Sequence, residues 1–254
     1  MKMHDIHPEK KDVVLLMHPM LANAQMLEAL LTDPMGAEYR YLIPDFSGHG
    51  DVADTIYHSA HTEAQQVAAY LREHHITTVQ LAFGASMGGV ILLELFYTEK
   101  LQIKRAFFEG TSFFEHADFM TALLRHVFVK KHRKAAANPD RAVGKMGGLY
   151  GTQAGGIMAR QLIGLNEESL CNVVYDCGHV HLPALTATQQ KNCVFAYGEK
   201  DFNVRCVRKN LHRHYPEAKL VIWPGCGHCT RITSDPVQYA AMLKTFLLTG
   251  QVPE

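Results

Sequence analysis

Six short apolar runs punctuate the chain, at residues 13–17, 39–43, 77–83, 103–108, 193–197 and 219–223. Runs of this length, mostly uninterrupted by polar residues, suit strands buried on both faces, as in a parallel sheet covered by helices. Between them the apolar spacing changes to three and four. Met26, Leu27, Leu30 and Leu31 form one such set, Val67, Ala68 and Leu71 a second within 62–74, and Tyr239, Met242, Leu243 and Phe246 a third within 236–248. Each set makes one buried helix face. Residues 90–97 and 207–214 also read as helices, and Thr62 and Gln65 have the spacing of a capping box. Strand and helix alternate, which predicts an α/β fold whose mostly parallel sheet is joined by right-handed crossovers.

The alternation breaks between residues 113 and 188. This stretch holds a helical pattern at 119–129, the basic run Lys130, Lys131, His132, Arg133 and Lys134, and a glycine-rich segment at 144–156. The glycines lack the spacing of a phosphate-binding loop and follow no strand, so they read as a flexible connection. The basic run reads as a solvated helix face. The chain therefore divides into a core made of residues 1–112 and 189–254 and a helical insertion at 113–188.

With 254 residues, 47% of them hydrophobic and 20% charged, the chain can bury one large core with a small lobe attached. Twenty-five basic and twenty-five acidic side chains leave no formal net charge. That argues against nucleic acid or a membrane as partner and favours a small-molecule substrate. The polar beginning MKMHDIHPEKKD has no apolar signal core, and no apolar run reaches a membrane span, so a cytoplasmic location is expected. Six scattered cysteines suit free thiols in a reducing compartment. Cys226 and Cys229 have the C-x-x-C spacing of a redox pair but lie at the wrong end of the chain for one. Cys177, His179 and His181 lack the further ligands of a metal site, so neither metal nor cofactor is expected. Nothing in the pattern sets an oligomeric state.

Candidate chemistry gathers where strands end. Gly84-Ala85-Ser86-Met87-Gly88 joins a predicted strand to a predicted helix in the pattern G-x-S-x-G. Such a turn can hold a serine exposed and strained as a nucleophile, although a glycine-rich strand-to-helix turn without chemistry has the same appearance. Glu109, Asp201 and His228 each follow a later strand. A serine needs a base to take its proton, and a histidine base needs an acid to orient it.

Together with His18-Pro19-Met20 and Pro44-Asp45-Phe46-Ser47-Gly48-His49-Gly50, these segments resemble the α/β-hydrolase superfamily, whose chain order is serine, acid, histidine. The resemblance implies a three-layer fold with a sheet of about six strands. The polar N-terminus is too short for the antiparallel pair that often begins the family's sheet. Residues 113–188 become a helical cap, with Phe113, Phe114, Phe119, Met120, Leu123 and Leu124 either roofing an apolar pocket or forming the cap's own core, and the glycines letting that roof move. It also implies a triad of Ser86, His228 and Asp201, with Glu109 as the alternative acid, and an oxyanion hole from the backbone N–H groups of Met20 and Met87. Pro19 departs from the usual His-Gly, which removes its own N–H and leaves that of Met20. His18 and His49 read as structural. Ester hydrolysis on small or medium acyl groups leads among the activities implied, ahead of carbon–carbon bond or thioester hydrolysis. A non-catalytic ligand-binding protein of the same fold is the alternative of another class, and an intact triad argues against it.

Overall fold

The computed structural model describes residues 1–253. Its main sheet has seven strands: β1 (Lys2–Ile6), β2 (Val13–Met17), β3 (Arg40–Asp45), β4 (Leu81–Ala85), β5 (Ala106–Glu109), β6 (Cys193–Gly198) and β7 (Lys219–Trp223). They lie in the order β1-β3-β2-β4-β5-β6-β7. The six strands from β2 to β7 are mutually parallel. β1 pairs antiparallel with β3, Lys2 opposite Asp45 and Ile6 opposite Tyr41.

Six parallel strands are the number expected, and the N-terminus adds one antiparallel edge strand in place of the family's pair. Five residues suffice for a single antiparallel edge, and its polar residues find partners. Arg40 clasps the Asp5 carboxylate through two nitrogens at 2.9 and 2.6 Å, and the Tyr70 hydroxyl donates to it at 2.8 Å. Such a fork is the strong form of ion pair.

Helices α1 (Ala60–Glu73), α2 (Met87–Leu95), α3 (Asp118–Ala137), α4 (Pro139–Tyr150), α5 (Thr152–Gly164), α6 (Glu167–Gly178), α7 (Val204–His214) and α8 (Pro236–Thr249) complete the frame. Alternate strand residues feed two cores. Val13, Leu15, Met17, Phe108 and Phe195 pack against α1, α2 and α7, whereas Val14, Leu16, Phe83 and Phe107 pack against α8 and the segment after Ala24. α1 begins two residues before the expected start because Ser59, not Thr62, caps it: the Ser59 hydroxyl accepts from the Thr62 N–H at 3.1 Å.

The run from α3 to α6 fills the space between β5 and β6 in sequence. Its glycine-rich part is helical, which overturns the expected flexible connection: α4 and α5 are separated only by Gly151, at φ +82°. The physical reason is close packing, since a Cβ on Gly155 would lie 2.4 Å from the Met146 carbonyl carbon. α6 is tied to the core by Asp176, which accepts from the Tyr57 hydroxyl at 2.7 Å and the Ala60 N–H at 2.6 Å. Tyr150, Ile157 and Met158 from α4 and α5 pack on Ala22 and Met26. The aromatic roof is corrected as well. Phe113 is buried against Phe195 and Tyr215, at ring distances of 5.1 and 6.0 Å, while Phe119 faces solvent at 85% exposure.

Candidate active site

The C-terminal ends of parallel strands bring their loops to one edge of the sheet, where open α/β folds bind ligands. Ser86 leaves β4 with φ 50° and ψ −112°, a left-handed backbone that a non-glycine residue enters only under constraint. The constraint is visible. Its N–H donates to the Glu109 carbonyl at 2.8 Å, and α2 begins at the next residue. Helix and sheet meet too closely for side chains at the flanking glycines: a Cβ on Gly88 would lie 2.4 Å from the Met17 carbonyl oxygen. The G-x-S-x-G pattern is thus a steric requirement of this turn.

Asp201 follows β6, and its side chain is fully buried. Oδ1 accepts from the Asn203 N–H at 2.9 Å, and Oδ2 lies 2.8 Å from His228 Nδ1. His228 comes from the loop after β7, and its Nε2 lies 2.9 Å from the Ser86 hydroxyl. The network assigns the tautomer. Asp201 can only accept, so Nδ1 carries the proton, and Nε2 is left to accept from Ser86. Gly110, at φ +63°, makes room for the ring, since a Cβ there would lie 3.0 Å from His228 Cε1.

Burial pulls the His228 basicity down, but the Cys229 thiol and the bonded Asp201 carboxylate outweigh it and raise the imidazole above its ordinary range. Cys229 is itself held toward the neutral thiol by burial, so Asp201 supplies the full negative charge beside the ring.

Glu109 sits at the end of β5, between the strands that lead to Ser86 and Asp201. Its side chain is fully buried and turned to other partners. Oε2 accepts from Trp223 Nε1 at 3.1 Å and from the Tyr239 hydroxyl at 2.9 Å, and Oε1 has no hydrogen-bond partner. Burial pushes this carboxyl up to about 7 against the pull of both donors. Of the two candidate acids, Asp201 is the one that meets His228.

Met20 and Met87 come from the loop after β2 and the first turn of α2. As the first residue of α2, Met87 has an N–H with no acceptor inside its own helix. The peptide that carries the Met20 N–H is held through its Pro19 carbonyl, which accepts from the Ala22 N–H at 2.9 Å, and the Met20 carbonyl of the next peptide lies 2.6 Å from His49 Nε2. His18 Nε2 accepts from the Phe46 N–H at 3.3 Å, and its Nδ1 lies 2.9 Å from the Pro19 carbonyl. Both imidazoles are buried, which lowers their basicity and keeps them neutral struts between loops.

Three neighbours of the site are not read as part of it from the sequence: Asn203, which braces Asp201; Cys229, which lies against His228; and Phe202, whose ring lies beside that of His228 at 5.2 Å between centroids. Only their positions, within two residues of the acid or the histidine, could have pointed to them.

The fold and this strand-end arrangement define an α/β hydrolase. The alpha/beta hydrolase family model matches residues 14–242, and the chain belongs to that family. No curated protein matches it in sequence. Among solved structures it is similar to an esterase from Thermogutta terrifontis at 15% identity and TM-score 0.73, covering 97% of this chain and 92% of that one. It is similar to an esterase from Exiguobacterium antarcticum at 14% identity and TM-score 0.73, covering 97% and 95%. MenH from S. aureus stands alongside at 18% identity and TM-score 0.69, covering 97% of each chain. At such identities the likeness is one of fold.

Proposed function

We propose that the protein is a serine hydrolase that cleaves carboxylic esters of small or medium acyl groups through an acyl-enzyme. The observation that carries the reading is the unbroken chain from the Ser86 hydroxyl to His228 Nε2 at 2.9 Å and from His228 Nδ1 to Asp201 Oδ2 at 2.8 Å. These three groups arrive from three separate strand ends, with their hydrogen-bonding roles already assigned.

Ser86 Oγ attacks the ester carbonyl carbon as its proton passes to His228 Nε2. The charge that develops on the carbonyl oxygen is stabilised by the N–H groups of Met20 and Met87, acting as preorganised donors. The intermediate collapses, the carbon–oxygen bond to the alcohol breaks, and His228 returns the proton to the departing oxygen. Water then repeats the sequence on the acyl-enzyme, with His228 again taking and giving the proton. Asp201 holds the ring and stabilises its charged form. Residues 113–188 serve as a cap, and their contact with Ala22 and Met26, near the Met20 loop, supports an enclosed site suited to dissolved esters.

The test is turnover of a panel of p-nitrophenyl esters, thioesters and β-diketones beside Ser86→Ala. Ester turnover that falls to the uncatalysed rate in the variant supports the reading. Turnover confined to the β-diketones, or unaffected by the variant, overturns it.

A further inference from the structure

Directly after the buried Asp201 stands Phe202, an aromatic ring with 55% of its surface exposed. Its centroid lies 5.2 Å from that of the His228 imidazole, with the planes tilted by 35°. The position is held by the same bonds that hold the acid. The Asn203 N–H donates to Asp201 Oδ1 at 2.9 Å, and Asn203 Nδ2 donates to the Gly110 carbonyl at 3.1 Å. A large apolar side chain half open to water, on a backbone anchored on both sides and with its ring beside that of the candidate base, has left much of its apolar surface available to something else.

Building on the serine-hydrolase reading, we infer that Phe202 is the wall of the alcohol side of the site and selects esters whose leaving group is apolar or aromatic. The argument follows the proton. During acylation the proton taken from Ser86 sits on His228 Nε2 and must be delivered to the oxygen of the departing alcohol as its bond to carbon breaks. The alcohol therefore lies beside the imidazole at that moment, whereas the acyl chain remains on Ser86. A ring packed on the imidazole meets the first of these and not the second. Aromatic contact adds binding beyond simple area burial when the partner is also a ring. Phe202 thus acts by touching the leaving group, and the acyl preference belongs to other residues.

The experiment first titrates the wild-type protein with a fluorophosphonate. Absence of label condemns the serine-hydrolase reading itself, apart from any role of Phe202. With labelled protein in hand, kcat and KM are measured for methyl, butyl and benzyl acetate, and for methyl acetate, butyrate and hexanoate, using wild type, Phe202→Ala and Phe202→Trp. In Phe202→Ala the benzyl-to-methyl ratio of kcat/KM should fall about tenfold, as expected for the loss of one good aromatic contact. The loss should lie mainly in KM, because all three acetates form the same acetyl-enzyme. The hexanoate-to-acetate ratio should be kept, and Phe202→Trp should retain the benzyl preference. An equal loss on every ester, a change in acyl preference, or an unaltered benzyl ratio would each overturn the assignment.

Discussion

His228 turns its Nδ1 to Asp201, at 2.8 Å, although the nearer strand to Ser86 ends in another carboxyl, that of Glu109. Glu109 instead receives Trp223 and Tyr239 and lies sealed in the core. Asp201→Asn should therefore cut kcat by several orders of magnitude, since an amide that can donate to Nδ1 favours the wrong tautomer. Glu109→Gln should change kcat far less. Steady-state kinetics on one ester ranks the two, and the reverse ranking would move the acid to β5.

The pH profile carries a sign. The rate requires His228 unprotonated, so kcat/KM should rise with pH. Its midpoint should lie above the ordinary imidazole value of 6.5, because the Asp201 carboxylate bonded to Nδ1 favours the charged ring. Glu109→Gln should keep that rise, while a midpoint well below 6.5 would contradict the bonded Asp201.

Glu109 should leave its mark on stability. Its carboxyl holds a proton up to about 7 in the folded chain against an ordinary value of 4.5, so the folded state binds more protons between these limits. The stability it confers is fully present below 4.5 and is lost as pH rises through about 7, a change on the order of 3 kcal/mol. Urea denaturation of wild type and Glu109→Gln at both ends of this window should show the variant gaining on wild type as pH rises. A constant difference would contradict the burial.

Two glycines of the insertion should respond in opposite ways. Gly155 meets the Met146 carbonyl carbon at 2.4 Å from an added Cβ, whereas Gly148 has nothing within 4 Å. Gly155→Ala should cost about 1–3 kcal/mol through forced separation of α4 and α5. Gly148→Ala should stabilise by up to about 1 kcal/mol through helix propensity. Denaturation midpoints decide. Equal, small effects would restore the flexible connection that the glycine content suggests.

That contrast shows where a sequence is readable and where it is not. Buried parallel strands announce themselves because both faces must be apolar, as in Val13–Met17, and the glycines around Ser86 do so because no side chain fits there. β1 gives no such signal. An edge strand needs few apolar residues, and its stability comes from Asp5 meeting Arg40 and Tyr70, partners far away in the chain. Gly155 looks the same in sequence whether it loosens a loop or lets two helices touch. Phe113 and Phe119 are alike by type, yet one lies in the core and the other in water, because only Phe113 faces Phe195 and Tyr215. Asp201 and Glu109 likewise both follow strands, and the side-chain direction that separates them is a tertiary fact.

The most direct measurement of the central claim is intact-mass spectrometry of the folded protein after brief exposure to a fluorophosphonate. The account predicts one adduct, mapped by peptide analysis to Ser86, abolished in Ser86→Ala and slowed by orders of magnitude in His228→Ala. No adduct on the folded wild type, or an adduct at full rate without His228, would contradict it.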